Sequence, residues 1–204
     1  QGRFAIAEAG TLLFRFERIT APDEYTVAVT TPEENLILPY ILSHPYMGIS
    51  KPPLAAQLSR RNQLLATAES CTGGWLAKVC TDRAGSSGWF ERGFVTYSNA
   101  AKRELLGVQA ETLARHGAVS RETVLEMVAG ALAHSHAHWA LAISGIAGPG
   151  GGSDQKPVGT VCFGFAIGDR VISEKQWFDG DRQAVRQSTL GHALQRINQL
   201  LGSA

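Results

Sequence analysis

Twice in this chain an apolar run of strand length ends abruptly in glycine. Leu64 to Ala68 leads into Glu69-Ser70-Cys71-Thr72-Gly73-Gly74, and Trp139 to Ile143 leads into Ser144-Gly145-Ile146-Ala147-Gly148-Pro149-Gly150-Gly151-Gly152. After the first of these turns the apolar residues change period: Trp75, Leu76, Val79 and Cys80 recur at helical spacing, which predicts a helix over 73–82. A strand, a glycine turn and a helix in that order confine the chain to folds in which helices lie against a sheet.

The alternation continues along the chain. A short helix is predicted from Leu54 to Arg61, a strand over Phe94-Val95-Thr96-Tyr97 and a short helix from Ala100 to Leu106. Ser120 is placed to cap a helix over 121–135, with Glu122 in its first turn and Val124, Met127, Val128, Ala131 and Leu132 as its buried stripe. Val158 to Ala166 and Val171 to Phe178 read as an antiparallel pair joined through Gly168-Asp169. Asp181 then caps a last helix whose apolar face is Val185, Leu190, Leu194, Ile197 and Leu201. The expected fold is an α/β layered domain with a mixed sheet.

Composition divides the chain near Pro52-Pro53. Residues 1–53 hold six of the eight prolines but only three of the 22 glycines, and read as an extension separate from the domain over 54–204. Phe4 to Ile6 and Leu12 to Phe16 read as a hairpin there, while Leu36 to Ile41 is interrupted by Pro39. No catalytic constellation lies in this extension, so a packing or oligomerising role is expected of it, which leaves a homo-oligomer open. The chain starts with Gln rather than Met, which reads as a fragment or a processed chain.

With 44% hydrophobic and 18% charged residues the chain has a globular composition. Nineteen Lys and Arg against eighteen Asp and Glu give a net charge of +1, and the positive residues are scattered. No basic stripe points to nucleic acid. No apolar run approaches the roughly 18 residues that cross a bilayer, and no leader of charged then apolar residues opens the chain, so no membrane partner and a cytoplasmic location are expected. The three cysteines, Cys71, Cys80 and Cys162, are too few and too far apart for a disulfide framework or a zinc knuckle. His134, His136 and His138 alternate, but only the outer pair would share a helical face and no acidic residue adjoins them, so no metal is expected.

The chemistry-bearing residues fall in three places. In the first turn Ser70 and Thr72 sit at a strand-to-helix junction, where the first amides of a helix lack intrahelical partners and can hold an anion. A serine there can attack a carbonyl while those donors steady the oxyanion. The plainer alternative is that one hydroxyl only caps the helix, and Cys71 is a rival nucleophile. In the second turn six glycines lie between Gly145 and Gly159, restrained by Pro149 and Pro157. With Ser144, the amides of Gly145 to Gly152, Ser153 and Lys156 they form a candidate phosphate nest, or else a purely structural Ω-loop. In the third, Tyr97-Ser98-Asn99-Ala100-Ala101-Lys102, burial would let Lys102 act as base for Ser70 and Tyr97 relay a proton.

Taken in order, Thr67-Ala68-Glu69-Ser70-Cys71-Thr72-Gly73-Gly74, Gly85-Ser86-Ser87, Arg92 to Asn99, Ala101-Lys102, His116 to Ser120, Ile143 to Pro149 and Lys156 to Val161 resemble the CinA C-terminal domain family, from about Leu54 to the end of the chain. Its stand-alone bacterial members are nicotinamide-nucleotide amidases. The resemblance implies a three-layer α/β/α domain that hydrolyses the carboxamide of nicotinamide mononucleotide to nicotinic acid mononucleotide and ammonia, in pyridine-nucleotide recycling, with a small-molecule nucleotide as substrate and neither metal nor cofactor. It implies Ser70 as nucleophile, with Tyr97 and Lys102 as acid/base partners. Thr72, Gly73 and Gly74 would lie on the oxyanion side. Asn99, Ser144, Gly145, Gly148, Gly152 and Lys156 would bind substrate. The family's association with competence and DNA damage leaves a non-catalytic binding module as the alternative. Two departures stand out. Leu58-Ser59-Arg60-Arg61-Asn62 runs into Gln63-Leu64-Leu65 without the expected glycine turn, and residues 1–53 match neither the nucleotide-binding nor the linker domain upstream in longer members; if the amino-terminal portion replaces a native helix, an altered fold edge and lowered activity are expected.

Overall fold

The computed structural model describes residues 18–23, 26–30, 53–82, 84–168 and 170–202. They fall into two units divided between Lys51 and Pro52. In the first unit β1 (Arg18–Asp23) and β2 (Thr26–Thr30) pair antiparallel, with a register shift between Thr20 and Asp23. The hairpin expected over residues 4–16 and the broken run at 36–41 lie outside the described residues.

The second unit runs α1 (Pro53–Arg61), β3 (Leu65–Glu69), α2 (Trp75–Thr81), β4 (Phe90–Val95), α3 (Asn99–Leu106), α4 (Ala110–His116), α5 (Arg121–Ala133), β5 (Trp139–Gly145), β6 (Thr160–Ile167), β7 (Arg170–Trp177) and α6 (Arg182–Gly202). The five strands form one mixed sheet in the order β4-β3-β5-β6-β7. β4, β3 and β5 are parallel; β6 and β7 continue antiparallel. The expected strand over 94–97 is β4, which begins four residues earlier and ends at Val95; the next amide, Thr96 N, still donates to Glu69 O at 2.7 Å.

Side-chain alternation along the strands explains the three layers. On one face Leu65, Trp139, Leu141, Ile143, Val161, Phe163, Phe165 and Ile167 pack with residues of α1, α2 and α6. On the other face Ala66, Ala68, Ala140, Ala142, Cys162 and Ala166 meet α3 and α5. The small face lets α5 approach closely. A Cβ added at Gly164 would lie 2.4 Å from Val124 O, and one at Gly130 would lie 2.0 Å from Leu106 O. Packing at that distance excludes even a methyl group.

The glycine expected between α1 and β3 has a substitute. Asn62 takes the left-handed conformation itself, at φ 51°, the one non-glycine residue among those described to do so. Asparagine tolerates that region better than most residues. The fold edge is complete: Leu54 and Leu58 are buried, Gln57 Nε2 donates to Asn198 Oδ1 at 3.1 Å, and Arg61 donates to Leu201 O at 2.9 Å.

Candidate active site

β3 lies between β4 and β5, and the chain leaves β3 and β4 toward opposite faces: α2 on the large-residue side, α3 on the alanine side. Where connections diverge in this way beyond the carboxyl ends of parallel strands, a crevice opens. Ser70 follows β3, and Lys102 lies in α3, the helix after β4.

The first turn is built around glycine. Gly73 and Gly74 have φ of 62° and 92°, which L side chains rarely adopt, and Gly74 is the cap of α2. Gly73 N donates to Ser70 O at 3.0 Å, closing the turn behind the nucleophile candidate. The Glu69 carboxylate accepts from Gly74 N and Leu76 N at 3.0 Å and from Ala77 N at 2.7 Å. Contrary to expectation, then, the first amides of α2 are occupied from within, and Gly73 and Gly74 shape the turn instead of offering donors. The amides of Cys71 and Thr72 take part in none of these bonds, and among the described residues neither donates to an oxygen. Among the described residues Thr72 Oγ1 is buried without a partner.

Lys102 is among the largest fully buried side chains, 1% exposed, and its Nζ lies 2.9 Å from Ser70 Oγ, 2.8 Å from Thr96 O and 3.5 Å from Tyr97 O. Burial lowers its pKa from the ordinary lysine value. A neutral amine here has two hydrogens, which the two carbonyls attract, and one lone pair, which is left for the Ser70 hydroxyl. Ser98, which caps α3 by accepting from Ala101 N at 3.0 Å, fixes the helix that carries the lysine. Ser70 is 8% exposed. Cys71, the rival, is buried and its thiol is pushed up to about 12, burial outweighing the lowering effect of its own amide and Arg186. A thiol so protonated is inert.

The two glycine turns touch. A Cβ at Gly145 would lie 2.9 Å from Cys71 Sγ and 2.8 Å from Val161 Cγ2, so the Ser70 turn rests directly on the start of the second loop. That loop is self-closing, with Ile146 N donating to Thr160 O at 2.9 Å and Gly159 N to Ile146 O at 2.8 Å. Its polar side chains serve the scaffold. Ser144, 1% exposed, donates to Ala118 O at 2.7 Å, and Lys156 Nζ donates to His116 O at 2.6 Å. Neither is brought to Ser70. Gly148 is buried, while Gly152 and Asn99 are exposed. Tyr97 also differs from expectation: the residue is 60% exposed, and its hydroxyl accepts from Arg182 at 3.0 Å. Only its carbonyl approaches Lys102.

Two arginines of the site were not among the sequence candidates. Arg182 donates to Gly148 O at 2.9 Å as well as to Tyr97; Arg186, one turn later in α6, donates to Thr72 O at 2.9 Å and lies 5.2 Å over the Trp75 ring. Among the described residues Arg186 Nε is buried without a partner. Together they tie all three chemistry-bearing segments to one helix end. The signal was present in the sequence: basic residues in the first turns of a helix oppose its dipole, where acids are favoured. Among the described residues no group of three His, Cys, Asp or Glu side chains could hold a metal, and no helix is long and apolar enough to cross a membrane.

Residues 51–201 match the CinA C-terminal domain. The chain is 58% identical over 141 residues to the nicotinamide-nucleotide amidohydrolase PncC of Escherichia coli K12, covering 69% of this chain and 86% of that protein. It is 53% identical over 147 residues to the protein of the same name from Pseudomonas putida, covering 72% and 92%. Among solved structures it is similar to the competence/damage inducible protein CihA of Agrobacterium tumefaciens, with TM-score 0.69 and 44% identity over 74% of this chain and 94% of that one. It is also similar to a CinA superfamily protein of Escherichia coli, with TM-score 0.73 and 33% identity over 78% and 91%. With this fold, these motifs and these relatives, the chain belongs to the CinA C-terminal domain family.

Proposed function

We propose that the chain hydrolyses the carboxamide of nicotinamide mononucleotide through Ser70, releasing ammonia and nicotinic acid mononucleotide. One observation carries this reading beyond the relatives' names: the 2.9 Å contact between Ser70 Oγ and a lysine amine stripped of water. Burial lowers the pKa of Lys102 and so favours the neutral amine that can act as a base, and a serine needs such a neighbour to attack an amide.

Neutral Lys102 takes the Ser70 proton as Oγ bonds to the carboxamide carbon. The oxygen becomes an oxyanion, for which the amides of Cys71 and Thr72, bonded to no oxygen among the described residues, are the donors at hand. Lys102 then passes its proton to the departing nitrogen, which leaves as ammonia. Water, deprotonated by the same amine, attacks the Ser70 ester and frees the acid. Arg182 and Arg186 supply the positive charge for the nucleotide's phosphate, with the Gly148 to Gly152 backbone beside them. Ser144 and Lys156 hold that loop in shape, and Tyr97 serves as a wall of the mouth. A reaction of this kind recycles a pyridine nucleotide in the cytoplasm.

The test is ammonia release from nicotinamide mononucleotide by the purified chain. Ser70→Ala is expected to abolish turnover, to about the 10³-fold level or below, while binding the nucleotide as before. Full turnover by the alanine variant would sink the assignment. Arg182→Ala is expected to raise KM more than it lowers kcat, since a remote phosphate contact acts chiefly on binding. An unchanged KM would remove the arginine from the substrate site.

A further inference from the structure

A carboxylate taken fully out of water is stable only if its oxygens are well bonded. Glu69 is 0% exposed and, among the described residues, forms no ion pair; its partners are the three amides of Gly74, Leu76 and Ala77. Its main chain is equally engaged. Glu69 O accepts from Thr96 N at 2.7 Å and from Thr96 Oγ1 at 3.4 Å, and Thr96 O in turn holds Lys102 Nζ at 2.8 Å. One residue therefore fixes both walls of the crevice, the turn that carries Ser70 and the strand end that steers the lysine.

We propose that Glu69 is a positioning residue, an anion built into the chain that locks the backbone of residues 70–77 and so presets the Cys71 and Thr72 amides for the oxyanion. The proposal rests on the serine-amidase reading above. It also assigns the amides at the start of α2 permanently to Glu69, which leaves the substrate's phosphate to the arginines of α6. The three bonds remove the reorganisation that a mobile turn would need when charge develops, and preset donors of this kind act on the transition state and little on the ground state.

The experiment uses Glu69→Gln, which keeps the shape but offers one acceptor oxygen and an NH2 group where the amides point. Two ligands separate the states. The pyridine-3-carbaldehyde analogue of the nucleotide adds reversibly to Ser70. Its carbonyl π bond opens as the Oγ–C bond forms and the serine proton passes to Lys102, leaving a tetrahedral oxyanion. Nicotinic acid mononucleotide forms no such adduct. In Glu69→Gln, kcat is expected to fall by about 10²-fold, the scale of a lost oxyanion donor, with KM within about threefold. Aldehyde affinity should fall with kcat, and acid affinity should stay within about twofold. Wild-type kcat in the variant, or parallel loss of both affinities, overturns the proposal. Thermal unfolding establishes that the variant is folded; if it is not, Glu69→Asp is read in the same way, and failure of both to fold makes the residue structural and also overturns it. A wild-type chain that binds the aldehyde but releases no ammonia refutes the amidase reading alone, and the positioning role is then judged on the adduct.

Discussion

Replacing Lys102 by methionine separates what the lysine does for the reaction from what it does for the fold. The side chain is 1% exposed and makes two short hydrogen bonds, 2.9 Å to Ser70 Oγ and 2.8 Å to Thr96 O. Losing them costs about 1 kcal/mol each. Against this, methionine fills most of the same space and removes a buried amine whose charged form the interior disfavours. The two effects offset, so Lys102→Met is expected to lie within about 2 kcal/mol of wild type, or within about 8 °C in Tm for a domain of this size. The sign of the pH dependence follows from the lowered pKa. Between the folded and the ordinary lysine value the unfolded chain binds more protons, so wild-type stability rises with pH through that window and its deficit is complete below it. Methionine has no such slope, and the difference in Tm should favour the variant more at pH 6 than at pH 10. Turnover should meanwhile fall by at least about 10²-fold, the contribution of a general base. Scanning calorimetry at the two pH values and ammonia release are the measurements. A methionine variant that keeps a tenth of wild-type kcat, or one stabilised more at high pH than at low, would refute this account of Lys102.

The other predictions concern packing and the rival thiol. Gly130→Ala places a methyl group 2.0 Å from the Leu106 carbonyl and should cost about 1–3 kcal/mol or more as α5 is pushed off α3; an unchanged denaturation midpoint would contradict the close contact. Cys71→Ala should retain wild-type kcat to within a few-fold, and below the thiol's value of about 12 iodoacetamide should leave the native protein's activity intact; abolished turnover would transfer the nucleophile from Ser70 to the cysteine.

What the sequence disclosed was local, and what it withheld was spatial. The strand-glycine-helix order around Ser70, the Ser120 cap and the antiparallel pair before α6 follow from patterns a few residues long, and the structure has Ser120 Oγ accepting from Thr123 N at 3.1 Å and β6 against β7. Ser70 and Lys102 meet across 32 positions because β3 and β4 are neighbours, a pairing no spacing encodes. Serine and lysine at a site such as the second loop look alike in sequence whether they face a ligand or a carbonyl. Ser144 and Lys156 face carbonyls, while Arg182 and Arg186, 112 and 116 residues after Ser70, reach its neighbourhood. Glu69 was hidden for a different reason: a glutamate ending an apolar strand looks like the start of solvent, and only the three amides waiting for it explain its burial.

The 21 residues of α6 make a rod about 30 Å long, at 1.5 Å per residue. Near one end Asn198 and Leu201 grip α1; at the other Arg182 and Arg186 hold the crevice segments. A hydrogen-bonded helix is stiff along its axis, so α6 holds these two sets of contacts at a fixed separation. Loss of the last turn of α6 would therefore remove the grip on α1 and spare the Arg182 and Arg186 contacts, and loss of its first turns would do the reverse.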